Sequence, residues 1–332
     1  MRALLSQAPG GPDTLQLAEL PDPVPSTGEL LVRVHAAAIN YPDVLIIEDK
    51  YQMRPPRPFA PGGEIAGEVI GIGEGVTGWS VGDRLIAVPG FGGLVEKIVI
   101  PAASAFRLPE SRSYTDGAAL LLTYATSIHA LWDRGQLKAG ETLLVLGAAG
   151  GVGLAAVELG KARGARVIAA VSSEDKAQAA RDAGADEAIV YPRGPFDKDA
   201  SKALAEQFKA AVGPKGADVI YDPVGGDYCE PALRAIAWEG RYLVVGFPAG
   251  IPRLPLNLTL LKSCNVCGVF WGAFAARDQA ANQAHVEELF ALWDAGRISP
   301  RVSATYPLER AGEAIAAMAA RQVIGKLVVE IG

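Results

Sequence analysis

The stretch "VLGAAGGVG", residues 145–153, decides the fold of this chain. Its nine positions hold four glycines and two alanines. Aligned with the fingerprint G-x-G-x-x-G, it places Ala148, Gly150 and Gly153 at the three small positions. Small residues at these positions let the backbone approach a ligand and let the next helix pack tightly on its strand. The stretch therefore predicts a turn between a strand and a helix that binds a dinucleotide.

The sequence on both sides supports this prediction. The strand-like "TLLVLG" comes before the turn, an Ala-rich helix follows it, and "RVIAAV" reads as the next strand. This context separates a dinucleotide site from a chance match of glycines. The first N–H groups of a helix have no acceptor within it, and the helix dipole favours an anion there. We therefore expect the N–H groups of Gly151 and Val152 to face a pyrophosphate.

The end of the second strand, "AAVSSEDK", indicates which dinucleotide is bound. NAD sites place an Asp or Glu there, about 20 residues after the glycines, to bind the ribose 2′-hydroxyl. Val171 and Ser172 occupy that position in this chain. The hydroxyls of Ser172 and Ser173 and the ammonium of Lys176 suit a 2′-phosphate instead. The sequence therefore favours NADPH over NADH.

The chain has two parts that differ in their predicted secondary structure. Up to about Leu108 it reads as short strands broken by glycine and proline, among them the alternating "ELLVRVHAAAIN". After the helical "SYTDGAALLLTYATSIHALW", apolar strands alternate with Ala-rich helices. That alternation is typical of a parallel sheet covered on both faces. We predict an α/β protein with a β-rich domain and a doubly wound parallel-sheet domain.

Composition excludes several classes of function. The 332 residues carry a net charge of −6 without a basic run, which argues against nucleic acid as a partner. No stretch approaches 18 consecutive apolar residues, so we expect no membrane span. The start of the chain has too short an apolar stretch for a secretory signal. Three cysteines cannot form a disulfide framework, and we expect a soluble protein of the reducing cytoplasm.

The whole chain resembles the zinc-independent quinone oxidoreductases of the medium-chain dehydrogenase/reductase superfamily. The motifs that carry the resemblance are "NYPDVLIIEDKY" (40–51), "PGGEIAGEVIGIGEGV" (61–76), "GWSVGDRL", "AAGGVG", "VSSEDKAQAARDAGAD", "DPVGG" and "GKLVV". The resemblance implies a GroES-like catalytic domain built from residues 1–122 and 272–332. It also implies a Rossmann NADPH-binding domain at residues 123–271, and a homodimer, since such enzymes are commonly dimers.

The zinc-containing relatives bind their metal through a Cys, the His of a G-H-E motif and a second Cys. By spacing, these positions fall here on Asn40, Gly63 and about Leu122. Zinc sites need Cys, His or carboxylate ligands, so we expect no catalytic zinc. Without a Lewis acid the chain suits reduction of a quinone or an α,β-unsaturated carbonyl better than oxidation of an alcohol.

The resemblance extends to enoyl-thioester reductases, in which a Tyr shortly after the N-x-x-D motif is the candidate acid. The matching residue here is Tyr51. By the same comparison Asn40 lies beside the nicotinamide and hydrogen-bonds a substrate oxygen. A tyrosine position of the bacterial quinone reductases is occupied by Leu45, so their substrate details do not transfer. From its residue type and position, Asp43 is expected to accept hydrogen bonds from backbone amides.

Further cofactor contacts are implied by the resemblance alone. They are Tyr191 near the adenosine phosphate, Val224, Phe247 and Phe270 along the cofactor channel, and Thr126 on the nicotinamide side. Two alternatives to a quinone or enone reductase stay open. One is an enoyl-thioester reductase, which the absence of a basic patch for a large phosphorylated thioester disfavours. The other is a non-catalytic NADPH-binding protein, because a binding loop does not establish turnover.

Overall fold

The structure is a computed structural model that describes residues 1–332. In its first part the elements are β1 (Arg2–Leu5), β2 (Gln16–Glu19), β3 (Glu29–Ile39), α1 (Tyr41–Ile47), β4 (Glu64–Ile72), β5 (Arg84–Ala87), β6 (Lys97–Pro101), β7 (Ala105–Arg107), α2 (Tyr114–Ala118) and α3 (Leu121–Ile128). A π-helical segment, His129–Arg134, follows α3.

The remaining elements follow in chain order. They are β8 (Thr142–Leu146), α4 (Gly151–Ala162), β9 (Arg166–Val171), α5 (Glu174–Asp182), β10 (Glu187–Val190), α6 (Lys198–Val212), β11 (Ala217–Asp222), α7 (Cys229–Arg234), β12 (Ile236–Val244), α8 (Asn257–Lys262), β13 (Asn265–Gly268), α9 (Trp271–Arg277), α10 (Gln279–Asp294), β14 (Val302–Pro307), α11 (Ala311–Ala319) and β15 (Lys326–Glu330). No helix has both the length and the apolar character needed to cross a membrane.

The chain forms two compact units, residues 1–122 with 300–332 and residues 123–299. The first division coincides with the predicted boundary. The second lies after residue 299, so the prediction that residues 272–332 join the first domain is wrong for 272–299. These residues form most of α9 and all of α10, and they belong to the second unit.

Contacts within the second unit explain this correction. The indole Nε1 of Trp132 donates to Glu288 Oε1 on α10 at 2.9 Å. On α9 the ring of Phe274 stacks on His129, with centroids 4.1 Å apart. The domain boundary was predicted from a change in the local pattern of strands and helices, which does not reveal these side-chain partners.

The first unit is built around a β-sheet in the order β14-β15-β3-β4-β5-β7, with β6 also paired to β3. The predicted alternation along β3 is confirmed: Leu30, Val32 and Val34 are buried, while the intervening side chains are exposed to differing degrees. Near the end of the chain, β15 runs antiparallel to β3 and pairs Leu327 with Ile39. The C-terminal strand thus completes the sheet of the first unit.

The second unit contains a six-stranded parallel sheet in the order β10-β9-β8-β11-β12-β13. Numbered from β8, this is the 3-2-1-4-5-6 order of doubly wound dinucleotide-binding sheets. Almost every side chain of β8 and β9 is buried, as expected when helices cover both faces. The strand order reverses between β8 and β11. Ligands of such sheets bind at the carboxyl ends of the strands near that point.

Candidate cofactor site and active-site residues

In the glycine-rich turn after β8, Gly150 and Gly153 are glycine for different physical reasons. A Cβ on Gly153 would lie 2.3 Å from the carbonyl oxygen of Gly147, so the fold itself requires glycine at position 153. A Cβ on Gly150 would meet only that same oxygen, at an ordinary 3.5 Å. The protein therefore leaves space at Gly150, directly before the first turn of α4. This space suits the close approach of a pyrophosphate.

A side chain of α3 holds the first turn of α4 in place. Ser127 Oγ donates to the carbonyl oxygen of Val152 at 3.1 Å and lies 2.8 Å from the hydroxyl of the buried Tyr221. Ser127 is on α3, next to the predicted contact Thr126, which is partly exposed. The N–H groups of Gly151 and Val152 occupy the first positions of α4, where a helix offers donors to an anion.

Tyr191 supports the glycine-rich turn. Its side chain is buried, and its backbone N–H donates to Val171 at 2.8 Å. The hydroxyl accepts a hydrogen bond from the N–H of Gly147, and burial raises the pKa of the phenol. Its ring packs against Tyr228, with centroids 4.9 Å apart. The expected contact with the adenosine phosphate remains a prediction, whereas the contact with the glycine turn is direct.

The predicted 2′-phosphate residues lie together after β9. Lys176 Nζ is 3.5 Å from Ser172 Oγ, and the Ser173 side chain hydrogen-bonds the Asp175 carboxylate. Burial lowers the pKa of Lys176, and the nearby positive charge of Arg193 lowers it further. Arg193 is exposed on the loop after β10 and was not singled out in the sequence. A second cation near the first is a signal that only the fold provides.

Val224, Phe247 and Phe270 follow the carboxyl ends of β11, β12 and β13. Val224 packs on the glycine turn, because a Cβ on Gly147 would lie 2.7 Å from its Cγ2. Its N–H donates to the buried Asp222 carboxylate at 2.8 Å, which fixes the loop. The side chains of Phe247 and Phe270 are 43% and 60% exposed. Two exposed aromatic rings therefore stand at the edge of the sheet where ligands bind.

In the first unit, Asn40 is buried and its amide group is engaged. Its Nδ2 donates to the carbonyl oxygen of Ala38 and to Glu64 Oε2, each at 3.2 Å. Its Oδ1 accepts from the ammonium of Lys326. An amide nitrogen has two hydrogens, so none is left over for a substrate oxygen. The role expected from the sequence, donation to that oxygen, would need one of these bonds to break.

Asp43 and Tyr51 lie on and just after α1. Oxygens of the Asp43 carboxylate accept from the backbone N–H groups of Asn40 and Gly62, each at 2.8 Å, which confirms the structural role expected for it. Burial raises the pKa of Asp43 to about 6. Tyr51 is partly buried, and burial and the Asp43 charge raise the pKa of its phenol. A raised pKa keeps the phenol protonated, as a proton donor must be.

The three positions that bind zinc in related enzymes do not form a zinc site here. The Asn40 amide is already committed, and a Cβ on Gly63 would lie 3.0 Å from the carbonyl oxygen of Gly90. Leu122 has an apolar side chain, and its backbone N–H donates to Glu64 at 2.8 Å. No group of three or more His, Cys, Asp or Glu side chains in the structure could hold a metal ion. The residues present therefore do not fit a catalytic zinc.

Comparison with known proteins agrees with the two units. Residues 26–110 match the family model of the alcohol dehydrogenase GroES-like domain, and residues 151–287 match that of the zinc-binding dehydrogenases. A quinone oxidoreductase-like protein 2 homolog of Nematostella vectensis is 36% identical over 307 residues, 91% of this chain and 82% of that protein.

Two solved structures extend the likeness to the whole chain. The quinone oxidoreductase of Escherichia coli complexed with NADPH is 30% identical, with a TM-score of 0.90 over 99% of this chain and 100% of that one. A mycobacterial protein complexed with NADPH is 29% identical, with a TM-score of 0.91 over 99% of both chains.

Proposed function

The chain belongs to the quinone oxidoreductase family of the medium-chain dehydrogenase/reductase superfamily, and we propose that it reduces quinones or α,β-unsaturated carbonyls with NADPH and without zinc. The observation that carries this proposal is the turn at Gly150, which the fold leaves open at the reversal point of a doubly wound sheet. Nearby hydroxyls and cations suit a 2′-phosphate, and two relatives of similar fold are NADPH complexes.

The residues of the second unit would hold NADPH. The N–H groups of Gly151 and Val152 suit the pyrophosphate, and Ser172, Ser173 and Lys176 suit the 2′-phosphate. Further contacts are proposed for Thr126, Tyr191, Val224, Phe247 and Phe270. When bound, NADPH supplies a hydride to an electron-poor carbon of the substrate.

Tyr51 is the proposed proton donor. Hydride addition to the β-carbon of an enone leaves negative charge on the carbonyl oxygen and the α-carbon, and that enolate must gain a proton. The phenol of Tyr51 is protonated at neutral pH and partly exposed, so it can donate one. Quinones need less assistance, because their reduction yields a stabilised aromatic oxyanion that water can protonate.

The role proposed for Asn40 differs from direct donation to a substrate oxygen. Both hydrogens of its amide are engaged, so stabilisation of a substrate oxygen by donation requires Asn40 to exchange a partner. We propose that Asn40 contacts the nicotinamide and positions the start of α1, the helix that leads to Tyr51.

A substrate panel tests the function. NADPH consumption is measured with quinones, α,β-unsaturated ketones and enoyl thioesters under identical conditions. Steady turnover of the first two classes supports the proposal. Preference for enoyl thioesters identifies the alternative reductase, and NADPH binding without any turnover identifies a non-catalytic binding protein.

Purified protein should contain no stoichiometric zinc by elemental analysis, and chelators should leave turnover unchanged. One zinc per chain, with activity lost on its removal, contradicts the ligand argument.

We also propose that the protein is a homodimer that pairs along β13. This strand is the last of its sheet and has a neighbour on one side only. Its Val266 is 39% exposed, and further large apolar side chains are exposed on or near α8: Leu256, Leu260 and Leu261. An unpaired edge with apolar surface favours association with another strand. Sedimentation should give twice the mass of the chain, and Val266→Lys should shift the protein towards monomer.

A further inference from the structure

A fully buried ion pair lies among the three positions that bind zinc in related enzymes. Lys326 Nζ, on the first residue of β15, is 2.9 Å from Glu64 Oε2, on the first residue of β4. Their side chains are 3% and 1% exposed. Withdrawing two charges from water is expensive unless their remaining donors and acceptors are satisfied. In a chain with no evident metal ligands, such a pair calls for a physical explanation.

The bonds of this pair reach each of the three zinc positions or its immediate neighbour. Lys326 donates to Asn40 Oδ1, and Glu64 Oε2 accepts from Asn40 Nδ2. Glu64 Oε1 accepts from the backbone N–H of Leu122 at 2.8 Å. Glu64 itself directly follows Gly63. The pair therefore joins the end of β3, the start of β4, the start of β15 and the start of α3.

We propose that the Glu64–Lys326 pair crosslinks these segments through its hydrogen bonds, and that it thereby orients Asn40. Asn40 directly precedes α1, and the chain continues from α1 to Tyr51. Glu64 and Lys326 are positioning residues for the proposed reduction, so their catalytic effect rests on that proposed function. Their effect on the order of α1 does not rest on it.

The competing explanation is a pair that serves stability only. Removing one partner leaves the other charged and buried, which lowers stability strongly in either case. Replacing both partners with neutral side chains of similar size often restores stability, because no charge is then buried alone. The double variant Glu64→Gln/Lys326→Met therefore separates the two explanations. It can refold well, yet it lacks the ammonium that holds Asn40 Oδ1.

The experiment compares the parent, both single variants, the double variant and a control, Arg241→Met. Arg241 pairs with Glu141 in the second unit, at 2.6 Å and about one-fifth exposed. Thermal unfolding gives Tm, and two further quantities are measured well below the lowest Tm: kcat/KM for an enone and hydrogen exchange of residues 41–47. The single variants should lose roughly 10 °C of Tm. The double variant should regain most of this loss.

The proposal expects the double variant to combine a restored Tm with kcat/KM lowered at least about tenfold and with α1 amides exchanging faster than in the parent. NADPH affinity should stay within about twofold, and Arg241→Met should keep parental α1 exchange. Parental exchange in α1 of the double variant would overturn the proposal, and so would full recovery of kcat/KM. If the parent reduces no substrate, the proposed function fails, while the exchange measurement still decides the crosslink. The double variant carries the test if a single variant cannot be purified.

Discussion

Alanine at position 150 and alanine at position 153 should affect different properties of this protein: the first should affect NADPH binding, and the second should affect stability. The same methyl group enters the same turn three residues apart. At position 153 it meets the Gly147 carbonyl oxygen at 2.3 Å and the backbone of Ala148 at 2.8 Å. At position 150 it meets only the Gly147 oxygen, at 3.5 Å. We predict that Gly153→Ala destabilises the fold, whereas Gly150→Ala leaves the fold intact and weakens NADPH binding.

The stability loss of Gly153→Ala follows from the overlap. Backbone atoms of the turn cannot move aside as a flexible side chain can, and overpacking of this kind costs about 1–3 kcal/mol. The higher helix propensity of Ala returns up to about 1 kcal/mol. A net loss of about 1–2 kcal/mol corresponds to a fall in Tm of roughly 2–8 °C for a domain of this size.

Gly150→Ala should change stability little. The backbone of Gly150 has φ −74° and ψ 169°, which Ala adopts without strain. Glycine is a better N-cap than alanine, but alanine restricts the unfolded chain, and the two small terms oppose each other. The methyl group instead occupies the space left for a pyrophosphate. Losing one charge-assisted hydrogen bond there costs about 1.5–3 kcal/mol, or roughly a tenfold to hundredfold rise in Kd.

Two measurements on each variant check this contrast. Thermal unfolding without cofactor gives Tm, and quenching of protein fluorescence by NADPH gives Kd. If Gly150→Ala binds NADPH like the parent, the space at Gly150 does not serve the pyrophosphate. If Gly153→Ala is as stable as the parent, the turn can relax around the methyl group, and the packing argument fails.

Two further predictions concern single side chains. Tyr51→Phe should lower kcat for enones by about 10²–10⁴-fold and lower quinone turnover much less, with unchanged NADPH affinity; equal enone rates would identify water as the proton source. Because burial and Asp43 raise the pKa of Tyr51, its contribution should persist through pH 9 and decline only above about pH 10, which a pH–rate profile of parent and variant would reveal. Lys176→Ala should weaken NADPH roughly tenfold to hundredfold while leaving NADH binding nearly unchanged, and Arg193→Ala should act in the same direction; equal loss of both cofactors would limit Lys176 to supporting its loop.

The fold was largely predictable because it depends on local patterns. Alternation along "ELLVRVHAAAIN" and apolar runs separated by helices are read directly from the chain, and both sheets follow them. The boundary near residue 272 was wrong because it depends on partners distant in sequence. Trp132 contacts α10 and His129 contacts α9, each across more than a hundred residues of sequence. The local sequence of these helices does not indicate such distant partners.

The candidate site divides along the same line. The fingerprint residues and the hydroxyls after β9 could be identified because each acts within a short segment. Arg193 could not be identified, because its proximity to Lys176 arises from the pairing of β9 with β10. The engagement of the Asn40 amide was equally hidden, since its partner Lys326 lies 286 positions away.

Lys326 did leave a signal that could have been read. "GKLVVEI" is an apolar strand with a single lysine at its start, and an ammonium on a buried strand needs an acidic partner. Glu64, at the start of "EIAGEV", is the corresponding acid on another apolar strand. Opposite charges at the starts of two buried strands suggest a pair once both strands join one sheet. The pair itself, with both side chains almost fully buried, is therefore a feature that the sequence could have indicated.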